Sequence, residues 1–337
     1  MKGDFKMKVV DMHCDTISEI LNEQRKGLNT DLKKNHLNVD VEKMKQGDYL
    51  LQNFAMFVQL EEVKSPLEEG LALIDCFYRE LDKNKDSLAL ALTYEDILKN
   101  QELGKISALL TIEEGGVAAS SLANLRMLYK LGVRMLTLTW NYPNGIGYPN
   151  VTLVRGERPD FRVPNTKDGL TPFGIEFVKE MERLGMIIDV SHLSDAGFYD
   201  VLNYTTKPFV ASHSNARSVT NNVRNMTDDM IIKLAERGGV MGINFAGDFL
   251  EEPKTGERMR SKICNMVKHI RYIVDLAGIN CVGLGSDFDG IYQDLELDNA
   301  GKMPLLEEAL REEGFSTEDI EKIFYKNVLR VYKEVLK

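Results

Sequence analysis

The chain has 337 residues, 43% hydrophobic and 28% charged, and its 42 Lys plus Arg against 52 Asp plus Glu leave a formal net charge of -10. That is the composition of a soluble, acidic globular protein. It carries no basic stripe for a phosphate backbone, and apolar runs such as LALAL and SALLTI stop far short of the roughly 20 residues a membrane span needs, so neither nucleic acid nor membrane is expected as a partner.

The opening MKGDFKMKVVDMHCDT offers only VV before polar residues resume. It lacks the core of a signal peptide, and a cytoplasmic protein is expected. Eight short apolar, β-rich runs bounded by turn residues follow: 8–14 (KVVDMHC), 50–58 (LLQNFAMFV), 106–113 (ISALLTIE), 133–140 (VRMLTLTW), 186–192 (MIIDVSH), 208–214 (PFVASHS), 239–245 (GVMGINF) and 281–288 (CVGLGSDF). Amphipathic helical stretches lie between them. In 121–132 the apolar residues Leu122, Leu125, Leu128 and Leu131 recur at helical spacing, and 171–185 has Pro172 for a first turn and Gly185 for a stop. The polar segment 22–49 and the Asn-, Pro- and Gly-rich loop 141–170 read as elaborations, and a loop of that length is commonly part of an active site. Residues 304–336 read as two closing helices separated at Gly314, with Ser316 as a cap. Length alone suggests two domains, but eight continuously apolar strands alternating with helices predict a parallel sheet closed into a (β/α)8 TIM barrel, one domain over 1–337.

The four cysteines, Cys14, Cys76, Cys264 and Cys281, are widely spaced and form no zinc knuckle or disulfide framework. The five histidines are more informative. His13 and Asp15 flank Cys14 at the end of the first predicted strand. Residues i and i+2 of a strand share a face, so one metal ion can take a nitrogen and an oxygen from this segment. His192 and His213 close two further strands, and in a barrel the C-terminal ends converge on one face. His36 and His269, with charged neighbours, read as surface residues. Glu113 and Glu114 end the third strand; only one can point inward, and apolar residues on both parities leave the choice open. An inward glutamate can bridge two cations roughly 3.5 to 4 Å apart, a pair able to hold a hydroxide and polarise a carbonyl. Imidazole and carboxylate ligands suit zinc, with manganese or cobalt as substitutes. Asp287 and Asp289 in GLGSDFDG share a face, and one of them can shuttle a proton. Arg224 is a cation in a loop before a helix that Thr227 can cap.

These motifs resemble the membrane dipeptidase (renal dipeptidase, M19) family of zinc hydrolases. The resemblance runs nearly end to end through DMHCDT, TIEEGG, LGVRMLTLTWN, GMIIDVSH, ASHSNAR, RNMTDD, GVMGINF, GLGSDFDG and KNVLRVYKEV. It implies a barrel of the metal-dependent hydrolase type with two zinc ions, His13 and Asp15 on one, His192 and His213 on the other, and Glu114, directly before the two glycines, bridging them. It further implies that Arg224 holds the carboxylate of a dipeptide substrate and that Asp287 is the catalytic acid and base. Mammalian relatives carry a substrate-contacting His after LTLT; here Trp140 and Asn141 stand there, as substrate-binding candidates. No lipid-anchor tail ends the chain, and a soluble homodimer is expected. Another amide, lactam, lactone or phosphoester hydrolase is the alternative, though many of those bridge their metals with a modified lysine on the fourth strand, which here ends LTLTWN. A barrel that has lost catalysis would have lost Asp287 or a ligand, and neither is lost.

Overall fold

The computed structural model describes residues 7–252 and 259–337; residues 1–6 of the opening stretch read above lie outside them. In chain order the strands are β1 (Val9–Asp11), β2 (Tyr49–Phe57), β3 (Leu88–Leu90), β4 (Ile106–Glu113), β5 (Met135–Thr137), β6 (Ile187–Asp189), β7 (Val210–Ala211), β8 (Val240–Ile243), β9 (Arg260–Ser261), β10 (Val282–Leu284) and β11 (Asp294–Leu295). β1, β2, β4, β5, β6, β7, β8 and β10 each overlap one predicted run and pair in sequence order, all parallel, with β10 returning to β1 and β2 meeting β4, so the sheet closes into a (β/α)8 barrel. Sequence reading missed β3, a three-residue strand beside the start of β4, and the two-residue pair β9 and β11. Such short pieces carry too few residues for a period to show.

Side chains alternate across each strand. Val10, Met12, Leu109, Met135, Ile187, Val210 and Val240 form one cluster inside the barrel, while Leu110, Ile112, Leu136, Ile188, Ala211 and Met241 belong to the layer shared with the surrounding helices. The interior cluster continues into Val328, Val331, Tyr332 and Val335 of the helix Asn327–Val335, which therefore plugs the N-terminal end of the barrel. The Tyr332 hydroxyl is fully buried there and exchanges hydrogen bonds with the Asn53 side chain at 2.7 and 3.0 Å.

Local rules explain the helices. Thr171 accepts from the Gly174 amide, Pro172 opens the helix Pro172–Leu184, and Gly185 ends it at φ 82°, where a Cβ would be strained. Thr227 caps Asp228–Glu236, and Ser316 with Asp319 forms a capping box on Thr317–Glu321. That helix passes through a π turn, Lys322–Lys326, into Asn327–Val335. In Leu122–Lys130 only part of the expected apolar stripe is used: Leu125 and Leu128 are buried, whereas Leu131 lies past the helix end and is 40% exposed.

Candidate metal centre

The C-terminal strand ends carry the chemistry, and their backbone is strained to do it. His192 sits at φ 67°, Asp287 at 62° and Glu114 at 93°, the left-handed region that costs non-glycine residues roughly 1 to 3 kcal/mol each. Such turns re-aim the chain within one to three residues of leaving a strand.

Glu113 lies at the centre. Its Oε1 is 3.1 Å from His192 Nε2 and 3.5 Å from His213 Nε2, and its Oε2 is 3.3 Å from His13 Nε2. Asp15 Oδ2 stands 3.5 Å from His13 Nε2, and the Nε2 atoms of His192 and His213 are 3.1 Å apart. Donor atoms bound at about 2.0 to 2.1 Å around a tetrahedral zinc lie roughly 3.3 to 3.4 Å from one another, so these spacings suit ions between them. Buried polar atoms also await a partner: both ring nitrogens of His13 and Asp15 Oδ1 make no hydrogen bond among the described residues. The site divides into Glu113, His192 and His213 on one side and His13, Asp15 and Glu113 on the other, with Asp287 beside His13 and His213. The residues present fit a pair of divalent cations.

One expected ligand is corrected. Glu114 does not enter the cluster, and Glu113 takes its place. Glu113 shares its parity on β4 with Leu109, which faces the barrel interior, whereas Leu110 and Ile112 face the helices. Glu114 has left the strand at positive φ, and its fully buried carboxylate accepts from the amides of Trp140 (2.8 Å) and Gly116 (2.6 Å) and from Asn144 Nδ2. Burial, with the Glu113 charge adding to it, pushes Glu114 up to about 7 against those hydrogen bonds.

Burial opposes charge on every member of the centre. On His13 the carboxylates of Glu113 and Asp15 outweigh burial and hold its pKa well above the usual value, while Glu113 itself is held below the normal carboxylate range by His13 and His192. His192 falls to about 4 and His213 well below normal, because burial and neighbouring positive groups disfavour their protonation. Burial and the Glu113 charge raise Asp15 to about 7. His192 and His213 are therefore neutral beside an ionised Glu113, as metal ligands must be, and a cation bound there would displace the proton that His13 holds.

Asp287 keeps 16% of its side chain exposed and receives a 2.8 Å hydrogen bond from Asn244 Nδ2 on Oδ2, leaving Oδ1 toward His13 at 3.9 Å. Burial and Glu113 push it up to about 6, a useful range for moving protons. Its neighbour Asp289 is committed elsewhere, accepting from Thr16 Oγ1 and the Asn38 amide, both at 2.6 Å. Arg224 is 4% exposed, its guanidinium 5.3 Å over the Phe249 ring, and its Nε has no partner among the described residues. Trp140 packs edge-on against Phe57 at 4.9 Å. Asn141 also lines the cleft, but its Oδ1 is used on His192 Nδ1 at 2.9 Å. Glu113, Trp140, His192, Arg224 and Asp287 open on one cleft of about 1060 Å³.

His36 is exposed as expected, whereas His269 is wholly buried, accepting from the Ala216 amide on Nδ1 and facing the Leu250 carbonyl with Nε2, both at 3.1 Å. Sequence reading also passed over Asn244, Asn144 and Asp189. A polar residue inside an otherwise apolar strand, as in MIIDVSH, was the available signal for Asp189.

Comparisons with known proteins agree with this geometry. The model of the membrane dipeptidase family (peptidase family M19) matches residues 5–337. An uncharacterized dipeptidase of Schizosaccharomyces pombe is 35% identical over 308 residues, 88% of this chain and 71% of the relative. A solved metallo peptidase of family M19, dipeptidase AC, superposes with a TM-score of 0.88 at 26% identity, covering 98% of this chain and 99% of the other. A Rhodobacter sphaeroides metallo peptidase, solved with a phosphinate mimic of the dipeptide L-Ala-D-Ala, gives 0.88 at 25% identity over the same shares. The chain belongs to peptidase family M19, the membrane dipeptidases, and is a metallo-dipeptidase.

Proposed function

We propose that the protein hydrolyses the peptide bond of small dipeptides at two divalent ions, zinc by the chemistry of the donors, held by His13 and Asp15 on one side and by His192 and His213 on the other. The observation that carries this is Glu113, whose two oxygens face the two histidine sets separately. Manganese or cobalt suits the same thiolate-free donors. Ions bound there supply Lewis-acid polarisation of the scissile carbonyl and acidify the attacking water.

The chain's own residues do the rest. Arg224, a buried guanidinium with an unpartnered Nε, offers a charged fork to the free carboxylate of the second residue. Asp287, with Oδ2 held by Asn244 and Oδ1 toward the centre, takes a proton from the attacking water and returns it to the leaving amine. Trp140 against Phe57 shapes the wall of the cleft and sets which side chains fit. The dipeptide mimic bound by the Rhodobacter sphaeroides relative supports this substrate class.

The test is a panel of dipeptides, including D-residues at the second position, assayed on zinc-loaded protein alongside metal analysis. Hydrolysis of some dipeptides with about two ions per chain is expected; no hydrolysis across the panel, or one ion at saturation, overturns the reading. Arg224→Met should weaken free dipeptides by roughly 10- to 150-fold while barely touching dipeptide amides. Equal losses on both would give Arg224 a structural role.

A further inference from the structure

Directly beneath His213, inside the barrel, lies a closed set of polar groups that no part of the mechanism above uses. Asp189 at the end of β6 is fully buried. Its Oδ1 accepts from the amides of Ser191 (3.0 Å) and Ser212 (2.8 Å), and its Oδ2 accepts from the hydroxyls of Thr137 and Ser212, both at 2.6 Å. Thr137, Asp189 and Ser212 come from three neighbouring strand ends. Met135, Ile187 and Val210, two residues before them, all face the interior. The Ser212 hydroxyl is also 2.7 Å from His213 Nδ1 and 3.2 Å from Ser191 Oγ, which itself accepts from the His213 amide at 3.1 Å.

With Asp189 a carboxylate, whose oxygens accept from two amides and the Thr137 hydroxyl, proton counting leaves one arrangement. A serine hydroxyl has one proton to give and two lone pairs to fill. The Ser212 proton goes to Asp189, because withholding it would set two oxygens 2.6 Å apart with no hydrogen between them. Between Ser212 Oγ and His213 Nδ1 the donor must then be the imidazole.

We propose that Asp189 and Ser212 are positioning residues of the metal centre: together they force His213 to carry its proton on Nδ1 and to present a bare Nε2 to the ion. The inference rests on the reading of His213 as a ligand. Ligand histidines owe much of their affinity to the partner of the other ring nitrogen. The relay acts on one half of the site only. His192 has its own partner in Asn141, and His13 has no hydrogen-bond partner on either nitrogen among the described residues.

The experiment compares wild type with Ser212→Ala, Asp189→Asn and His213→Ala, all full length. It reads the His213 tautomer by ¹⁵N NMR on metal-free protein and the affinity for each zinc ion by chelator competition. Wild type should show the Nδ1–H form. In Asp189→Asn the two backbone amides keep the amide oxygen, its NH₂ turns toward Ser212, and the freed hydroxyl donates to His213, so the Nε2–H form should appear. Both relay variants should lose roughly 10- to 100-fold in affinity for one ion while the other ion binds as in wild type. Ser212→Ala leaves Asp189 with the amides of Ser191 and Ser212 and the Thr137 hydroxyl, so it carries the test even if Asp189→Asn does not fold. Unchanged tautomer and affinity in the relay variants, with one ion lost in His213→Ala, would overturn the relay alone. Equal losses for both ions with a lowered melting temperature would make the network merely structural. Two ions bound normally by His213→Ala would instead sink the assignment of His213 as a ligand.

Discussion

Glu113 and Glu114 are chemically identical neighbours whose surroundings give them opposite tasks. Glu113 faces three imidazole nitrogens and no amide donor, so removing its charge removes the group shared by both halves of the centre. Glu114 faces three hydrogen-bond donors and no imidazole. Glu113→Gln should therefore lower binding of both ions, measured by metal analysis after dialysis, with the fold retained. Glu114→Gln should keep both ions but place its NH₂ against a donor, at a cost of about 1 to 3 kcal/mol in urea unfolding. The reverse pattern would return the bridging role to Glu114.

At the scale of elements, Glu114 ties the end of β4 to the loop that leaves β5. Asn144, which donates to Glu114, also donates to the Leu138 carbonyl at 2.9 Å and accepts from the amides of Ile146 and Gly147 on its Oδ1, so the first turns of the loop are held from several sides. That loop delivers Asn141 Oδ1 to His192 Nδ1. The resemblance makes Asn141, with Trp140, a substrate-binding candidate, but the structure spends the Asn141 oxygen on His192. Asn141→Ala should accordingly weaken one ion by about 10-fold or more in chelator competition, with turnover restored by excess zinc. Lost turnover at full metal occupancy would show direct contact with substrate instead.

For the whole molecule, the loops after β7 and β8 are joined to the helix Ile263–Ala277 through His269. Burial, against the pull of the Leu250 carbonyl and aided by Lys268, lowers its pKa to about 4. An unfolded chain takes up a proton near pH 6.5, before the folded one does, so this group's contribution is fully present above about 6.5 and is lost as pH falls toward 4. Each pH unit in that window costs up to about 1.4 kcal/mol. Urea midpoints at pH 7 and 5.5 should fall further apart in wild type than in His269→Gln, whose amide can still serve Ala216; an equal fall in both would exclude His269 as the source.

The eight barrel strands, the parallel closure, the Pro172 start and Gly185 stop, the helix caps at Thr227 and Ser316, and the meeting of His13, Asp15, His192, His213 and Asp287 at one end were all legible in the sequence, because period, capping chemistry and strand-end position are local properties. Only the tertiary structure chose Glu113 over Glu114, buried His269, gave Asn141 to His192 and brought the last helix under the barrel. A strand covered on both faces is apolar at both parities, so nothing local marks its inward side. That side is assigned when the sheet closes, and with it the direction in which every strand-end carboxylate and imidazole points.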